Sequence, residues 1–195
     1  FSPGAAASCT KRSTGTYQPA NSASNCINAP AGTYVSSVEA VSVTKCAIGY
    51  LTGSAGASVC VKCAAGSYSA IGASGCTPCA AGTWQNNAAS ASCKPCGAGE
   101  YSSAAGATVC TVVPAGKYAS QPGTANPIPI GAGYYNTKTG ATKCCENECP
   151  AGKFSAAGST VCSTCVSGKY ASAGLGVCTN CPTGSYSITT SDTGA

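Results

Sequence analysis

The stretch Cys60-Val-Lys-Cys63-Ala-Ala-Gly66-Ser-Tyr68-Ser-Ala-Ile-Gly-Ala-Ser-Gly-Cys76-Thr-Pro-Cys79 decides how the whole chain is read. Its opening phrase, C-x-x-C-x-x-G-x-aromatic, returns at once: Cys76 and Cys79 lead to Gly82 and Trp84, and Cys93 and Cys96 lead to Gly99 and Tyr101. It returns again from Cys162 and Cys165 to Gly168 and Tyr170, and from Cys178 and Cys181 to Gly184 and Tyr186. A short self-similar period marks a repeat array, in which no unit buries its own surface alone.

Working outward, the first-cysteine slot falls at 9, 26, 43, 60, 76, 93, 110, 127, 144, 162 and 178, at intervals of 16 to 18 residues. A glycine follows in every repeat, at Gly15, Gly32, Gly49, Gly66, Gly82, Gly99, Gly116, Gly133, Gly152, Gly168 and Gly184. Two places later stand Tyr17, Tyr34, Tyr68, Trp84, Tyr101, Tyr118, Tyr135, Phe154, Tyr170 and Tyr186, with Leu51 beside Tyr50 as the exception. Phe1 fills that slot of a partial opening repeat. The glycine either supplies a positive φ or lets the chain approach a neighbour closely. Ser, Thr and Val around it suit short extended segments, and the Ala-rich stretches lack helical periodicity. The predicted fold is a small disulfide-rich array of about eleven repeats, mostly irregular, with short β-strands or a hairpin per repeat and almost no helix. Repeats this small are expected to touch mainly their neighbours and to form an elongated rod.

Some slots have lost their cysteines, and the losses are paired. Calling the two cysteine slots of a repeat a and b, the b slot Ala29 and the following a slot Val43 are both empty, as are Val113 and Pro127. Cysteines that vanish together are read as bonded partners, because a lone survivor would be an unpaired thiol. This predicts local bridges Cys46–Cys60, Cys63–Cys76, Cys79–Cys93, Cys96–Cys110, Cys149–Cys162 and Cys165–Cys178. Left over are Cys9, Cys26, Cys144, Cys145 and Cys181 as candidates for interchain links, with Cys9–Cys26 as an alternative within the chain. The a slot after Cys181 is Ala195, and the number of cysteines is odd; either the chain is cut from a longer array, or neighbouring copies complete its ends. Three segments follow: bridged repeats over 1–110, irregular Cys-poor repeats with an insertion over 111–149, and bridged repeats over 150–195.

Composition supports this reading. The 195 residues include 17 Cys, 25 Gly and 11 Pro, no His or Met, and only 8% charged residues. Such a chain cannot fill a large apolar core and belongs to an oxidising, secreted setting. No apolar run approaches a transmembrane length. The net charge of +5 is scattered, with Glu39, Glu100, Glu146, Glu148 and Asp192 as the only acids, so no nucleic-acid footprint is visible.

The phrases Cys63-Ala-Ala-Gly-Ser-Tyr-Ser69, Cys149-Pro-Ala-Gly-Lys-Phe-Ser155 and Cys181-Pro-Thr-Gly-Ser-Tyr-Ser187 resemble the ephrin-receptor-like cysteine-rich repeat, itself similar to modules of tumour-necrosis-factor-receptor ectodomains. Similar arrays occur in surface coats and filaments of protists. The resemblance implies an extracellular module and brings no catalytic residues with it. The cysteines missing at Arg12, Ala29, Val43, Val113, Pro127 and Ile130 depart from the family's pattern.

Chemistry is sparse. Cys60, Cys63, Cys76 and Cys79 imitate a four-thiolate zinc site, but the pattern continues unbroken and the losses split the C-x-x-C pairs, so no metal is expected. Without His, and with isolated acids, there is no acid–base or nucleophilic machinery, and no cofactor is expected. The aromatic spine is expected to cover the disulfides and supply most of the small core, with sugar stacking on exposed rings as the alternative. No Asn-x-Ser/Thr sequon exists, and only Asn147-Glu-Cys149 offers the Cys variant, so O-linked sugars are the expected decoration. The expected function is that of a structural subunit of an extracellular filament, wall or surface coat, self-associating head to tail. The alternative is a receptor or adhesion ectodomain for a protein or glycan, with 111–149 as its patch.

Overall fold

A computed structural model describes residues 13–19 and 25–187. Among them there is no helix, and the strands are all two residues long, paired into ten two-stranded sheets of consecutive strands. From Tyr17 to Tyr170, each repeat contributes the first strand of one hairpin at its aromatic slot, and the next repeat supplies the second strand just after its a slot, or after the insertion at Asn147–Glu148. Thus Glu100–Tyr101 pairs antiparallel with Thr111–Val112, with Glu100 opposite Val112 and Tyr101 opposite Thr111. The uncysteined repeat behaves alike: Lys117–Tyr118 pairs with Ile128–Pro129.

The entry to each hairpin is a type II turn. In Pro30-Ala-Gly-Thr33 the Thr33 amide donates to the Pro30 carbonyl at 3.0 Å, and Gly32 holds φ 83° at the third position. That position requires φ near +80°, which only glycine adopts without strain. The Thr33 hydroxyl donates to the same carbonyl at 2.6 Å, and the hydroxyls of Thr16, Ser67 and Ser185 make the equivalent bond in their repeats.

The chain divides into two compact units. The first runs to Ala80 and takes in Trp84–Lys94 and Ala105–Thr108; the second takes in Ala81–Thr83 and Pro95–Ala104 and continues from Val109. Within the first, the amides of Gly15, Gly32, Gly49 and Gly66 donate to the carbonyls of Val35, Thr52, Ser69 and Gln85, one repeat on, at 2.7–3.0 Å. The second unit repeats this from Gly82, Gly99, Gly116, Gly133 and Gly152 to Ser102, Ala119, Asn136, Ser155 and Ala171 at 2.7–2.9 Å.

The reach is longer than nearest-neighbour stacking implies. A Cβ on Gly66 would overlap the carbonyl of Gly106, two repeats further along, and Gly32 stands in the same relation to Gly72, as Gly116 does to Gly158. Both readings of the slot glycine therefore hold together: it has a positive φ and it admits a neighbour's backbone. The expectation of contact mainly between adjacent repeats is corrected accordingly, because glycine removes the side chain that would keep second neighbours apart.

A second glycine row was not singled out from the sequence. Gly56, Gly72, Gly106, Gly123, Gly140, Gly158 and Gly174 all have positive φ, four places before the next a slot. Glu39 and Ala89 occupy the same row at φ 61° and 56°. These residues donate back to b-slot carbonyls, as Gly72 does to Cys46 and Gly106 to Cys79, both at 2.8 Å.

The core lies at the b slot and at the residue after the aromatic. Ala29, Cys46, Cys63, Cys79, Cys96, Val113, Ile130, Cys149 and Cys165 are buried, as are Val35, Thr52, Ser69, Gln85, Ser102, Ala119, Asn136 and Ser155. Where cysteine is lost from the b slot, Ala, Val or Ile fills the same space. The rings do not supply most of this core, which corrects the expectation for them. Tyr17, Tyr34, Tyr68, Trp84, Tyr101, Tyr118, Tyr135 and Phe154 are half-buried on the hairpin strands, and Leu51 shares that environment. Tyr170 and Tyr186 are 44% and 82% exposed. A ring on a two-residue strand faces outward over the hairpin, while the next residue, with the opposite strand orientation, points in.

Because this core is small and partly polar, hydrogen bonding must be complete. Thr52 Oγ1 accepts from the Gly32 amide at 2.8 Å and donates to the Thr33 carbonyl at 3.1 Å. Ser155 Oγ donates to the Tyr134 carbonyl at 2.7 Å, and Gln85 Nε2 to the Ser92 carbonyl at 2.9 Å. Among the described residues no buried side-chain nitrogen or oxygen lacks a partner, as stability in so polar an interior demands.

Candidate functional site

Cysteine chemistry and exposed hairpin surface are what this chain offers a partner. Six bridges join a b slot to the next a slot: Cys46–Cys60, Cys63–Cys76, Cys79–Cys93, Cys96–Cys110, Cys149–Cys162 and Cys165–Cys178, at sequence separations of 13 or 14. Each clamps the base of one hairpin. Cys60 immediately precedes the strand Val61–Lys62, and the amide of Cys63, just after that strand, donates to the Gly49 carbonyl at 2.8 Å. Loops of this length stabilise by roughly 3 kcal/mol each in the chain-entropy model.

The leftover cysteines behave differently. Cys144 and Cys145 are bonded to each other, as adjacent residues; this corrects their assignment to interchain links. The reason is local. The b slot that would serve Cys144 holds buried Ile130, so the thiol in the a slot turns to the inserted neighbour Cys145. Cys26 is a free, exposed thiol and Cys181 a free, half-buried one. The a slot that follows Cys181 is Ala195, and the b slot that precedes Cys26 is Arg12. Cys9 and Phe1 lie outside the described residues.

The exposed surface is carried by the second hairpin strands and the loops before the a slots. Lys45, Lys62 and Lys94 are exposed on such strands, and Lys117, Lys153 and Lys169 on the facing ones. Lys94 Nζ stands 5.7 Å from the centre of the Trp84 ring, directly across the hairpin. This cation–π pair covers one face of the tryptophan. Val59, Val109, Val161 and Val177 are exposed immediately before their a-slot cysteines. Beside the adjacent cysteine pair, Glu146 and Glu148 are exposed, and Glu148 lies against Gly174.

With fourteen cysteines in disulfides, the C-x-x-C pairs other than Cys178-x-x-Cys181 hold no free thiol. Among the described residues no group of three or more Cys, Asp or Glu stands together as a metal site. No helix there is long and apolar enough to cross a membrane.

Two segments, residues 1–46 and 66–111, match the family model described as tyrosine-protein kinase ephrin type A/B receptor-like. No curated protein matches the chain. The same slots, turn and hairpin continue outside the matched segments, through the Lys117–Tyr118 and Lys169–Tyr170 hairpins. The chain thus resembles the ephrin-receptor-like cysteine-rich repeat over the two matched segments, and the same disulfide-bonded hairpin unit recurs outside them.

Proposed function

We propose that this array is a structural subunit of an extracellular filament, wall or cell-surface coat, without enzymatic activity, whose copies associate head to tail. The observation that carries the reading is the uniformity of the main-chain ladder. From Gly15 to Gly133, each slot glycine gives its amide to the next repeat and its open side to a carbonyl two repeats on. This recognition uses backbone groups, so a repeat from a second copy satisfies it as well as a repeat from the same chain. Such a contact is heterologous, and it produces an open filament when the rotation does not close. O-linked sugars on the abundant exposed Ser and Thr fit a solvated coat.

A receptor or adhesion ectodomain is the second reading. The feature favouring it is the break in monotony at Cys144–Glu148, where an insertion, two exposed acids and an adjacent-residue disulfide interrupt the frame. Electron microscopy and sedimentation of purified, fully oxidised chain separate the two. Concentration-dependent fibrils or linear oligomers support the structural role. Monomers at every concentration, together with saturable binding to a cell-surface protein or glycan, support the ectodomain.

A further inference from the structure

We propose that Cys144–Cys145 is the thiol-exchange site of this array, the bond at which an aliphatic thiolate forms a mixed disulfide. The other six bridges each have a buried b-slot sulfur and close a loop of 13 or 14 residues. Opening one of them exposes core and frees a hairpin. Cys144–Cys145 spans a separation of one, so opening it releases no loop and costs no chain-entropy stabilisation. Cys145 is exposed and Cys144 half-buried, whereas every ladder bridge pairs a half-buried a-slot cysteine with a buried b-slot one.

Two further observations point to the same bond. Cys145 holds φ 66°, a left-handed conformation that strains a non-glycine residue, and opening the ring relaxes that constraint. Gly131 adjoins Cys145 Sγ, and even a Cβ placed there would stand 3.6 Å from the sulfur, so no side chain from this neighbour shields it. Exposed or constrained disulfides are the exchangeable ones in general.

The step balances without an external oxidant or reductant. The incoming thiolate attacks Cys145 Sγ and forms a new S–S bond, the Cys144–Cys145 bond breaks, and Cys144 departs as a thiolate that takes a proton from water. Ile130 fills the ladder position opposite Cys144, so this thiolate has no ladder cysteine to capture and instead reverses the reaction by expelling the incoming thiol. The aliphatic thiol has two sources, a small free thiol or the exposed Cys26 of a second copy. The exchange chemistry itself does not depend on the assembly reading.

The test uses the full oxidised chain. In one arm, free thiols are blocked with N-ethylmaleimide, limiting 2-mercaptoethanol is added at mildly alkaline pH, and released thiols are trapped with isotopically distinct N-ethylmaleimide before peptide mapping. The expected result is labelling at Cys144, with a mercaptoethanol adduct on Cys145, about tenfold or more above labelling or adduct at any ladder cysteine, in keeping with the accessibility dependence of exchange. Labelling that falls first or equally on a ladder pair, or no labelling at Cys144 and Cys145, overturns the proposal. In the second arm, unblocked chain is concentrated without added thiol. A peptide joining Cys26 to Cys144 or Cys145, absent in Cys26→Ser, identifies a second copy as the source. Its absence alongside a positive first arm identifies the small thiol. A Cys144→Ser/Cys145→Ser variant that keeps all six ladder bridges but loses the rapid labelling ties the signal to this pair. Fibrils that form without the cross-linked peptide support assembly independently of the exchange source.

Discussion

Gly66 and Gly106 are packed so closely that the carbonyl oxygen of Gly106 occupies the place where a side chain on Gly66 would begin. Neither residue contributes apolar area, yet the contact joins repeats that are not adjacent in sequence. The array is held by backbone fitted against backbone, with disulfides limiting the freedom of the unfolded chain.

Substitutions along the two glycine rows should therefore differ in cost. Gly66→Ala meets both a positive φ and the Gly106 backbone, and should destabilise by roughly 3 kcal/mol or more. Gly72→Ala has the same sign of φ, but its Cβ meets only the Lys45 stem, with Cδ at 3.4 Å, and should cost about 1 kcal/mol. Ala89→Gly should stabilise by up to about 1 kcal/mol, as relief of the left-handed strain exceeds the entropy gained by the unfolded chain. Denaturant unfolding of the three oxidised variants checks the order.

The damage from Gly66→Ala should travel two repeats. Hydrogen exchange should accelerate at the Gly106 amide, which donates to Cys79 at 2.8 Å, as well as at residues beside the substitution. Exchange confined to the substituted repeat and its immediate neighbours would show that the second-neighbour contact carries no energy.

Much of this architecture was legible because a fixed period leaves a signature that single motifs cannot. The paired losses at Ala29 with Val43, and at Val113 with Pro127, pointed to b-to-a bridging, since thiol chemistry penalises a lone survivor. The second glycine row was visible as a period too, but Glu39 and Ala89 interrupt it, and nothing local distinguishes a left-handed turn residue from a flexible loop glycine. The rings misled for a geometric reason. Aromatic residues are the bulkiest in this chain, and bulk suggests core; in a two-residue strand, however, the inward position belongs to their successors, as Ser69 follows Tyr68 and Ala119 follows Tyr118. The pairing of Cys144 with Cys145 was within reach of the slot frame, because Ile130 already empties the b slot that would serve Cys144 and the insertion places a second cysteine beside it.

The unbridged repeat supplies a template for removing a disulfide. Cys79→Ser/Cys93→Ser should cost roughly 3 kcal/mol for the lost cross-link, plus about 1–3 kcal/mol for a hydroxyl left in the buried b slot without a partner. Cys79→Val/Cys93→Pro, which copies Val113 and Pro127, should recover the second part. Thermal unfolding of the two double variants measures the difference; equal stability would mean that the b slot does not discriminate polarity.

The half-buried rings should be worth less than core aromatics. Tyr101→Ala is expected to destabilise by about 1–2 kcal/mol, below the range for truncating a fully buried ring. A stability loss without any change in glycan-array binding fits a structural role. Unchanged stability with lost glycan binding would assign the ring to recognition.

The most direct test of the account is disulfide mapping of native, alkylated protein by mass spectrometry without reduction. The predicted map contains Cys46–Cys60, Cys63–Cys76, Cys79–Cys93, Cys96–Cys110, Cys149–Cys162, Cys165–Cys178 and Cys144–Cys145, with label on Cys26 and Cys181. Bridges within the C-x-x-C pairs, such as Cys60–Cys63 or Cys76–Cys79, would contradict it, because they would leave every hairpin unclamped and the repeat ladder without its cross-links.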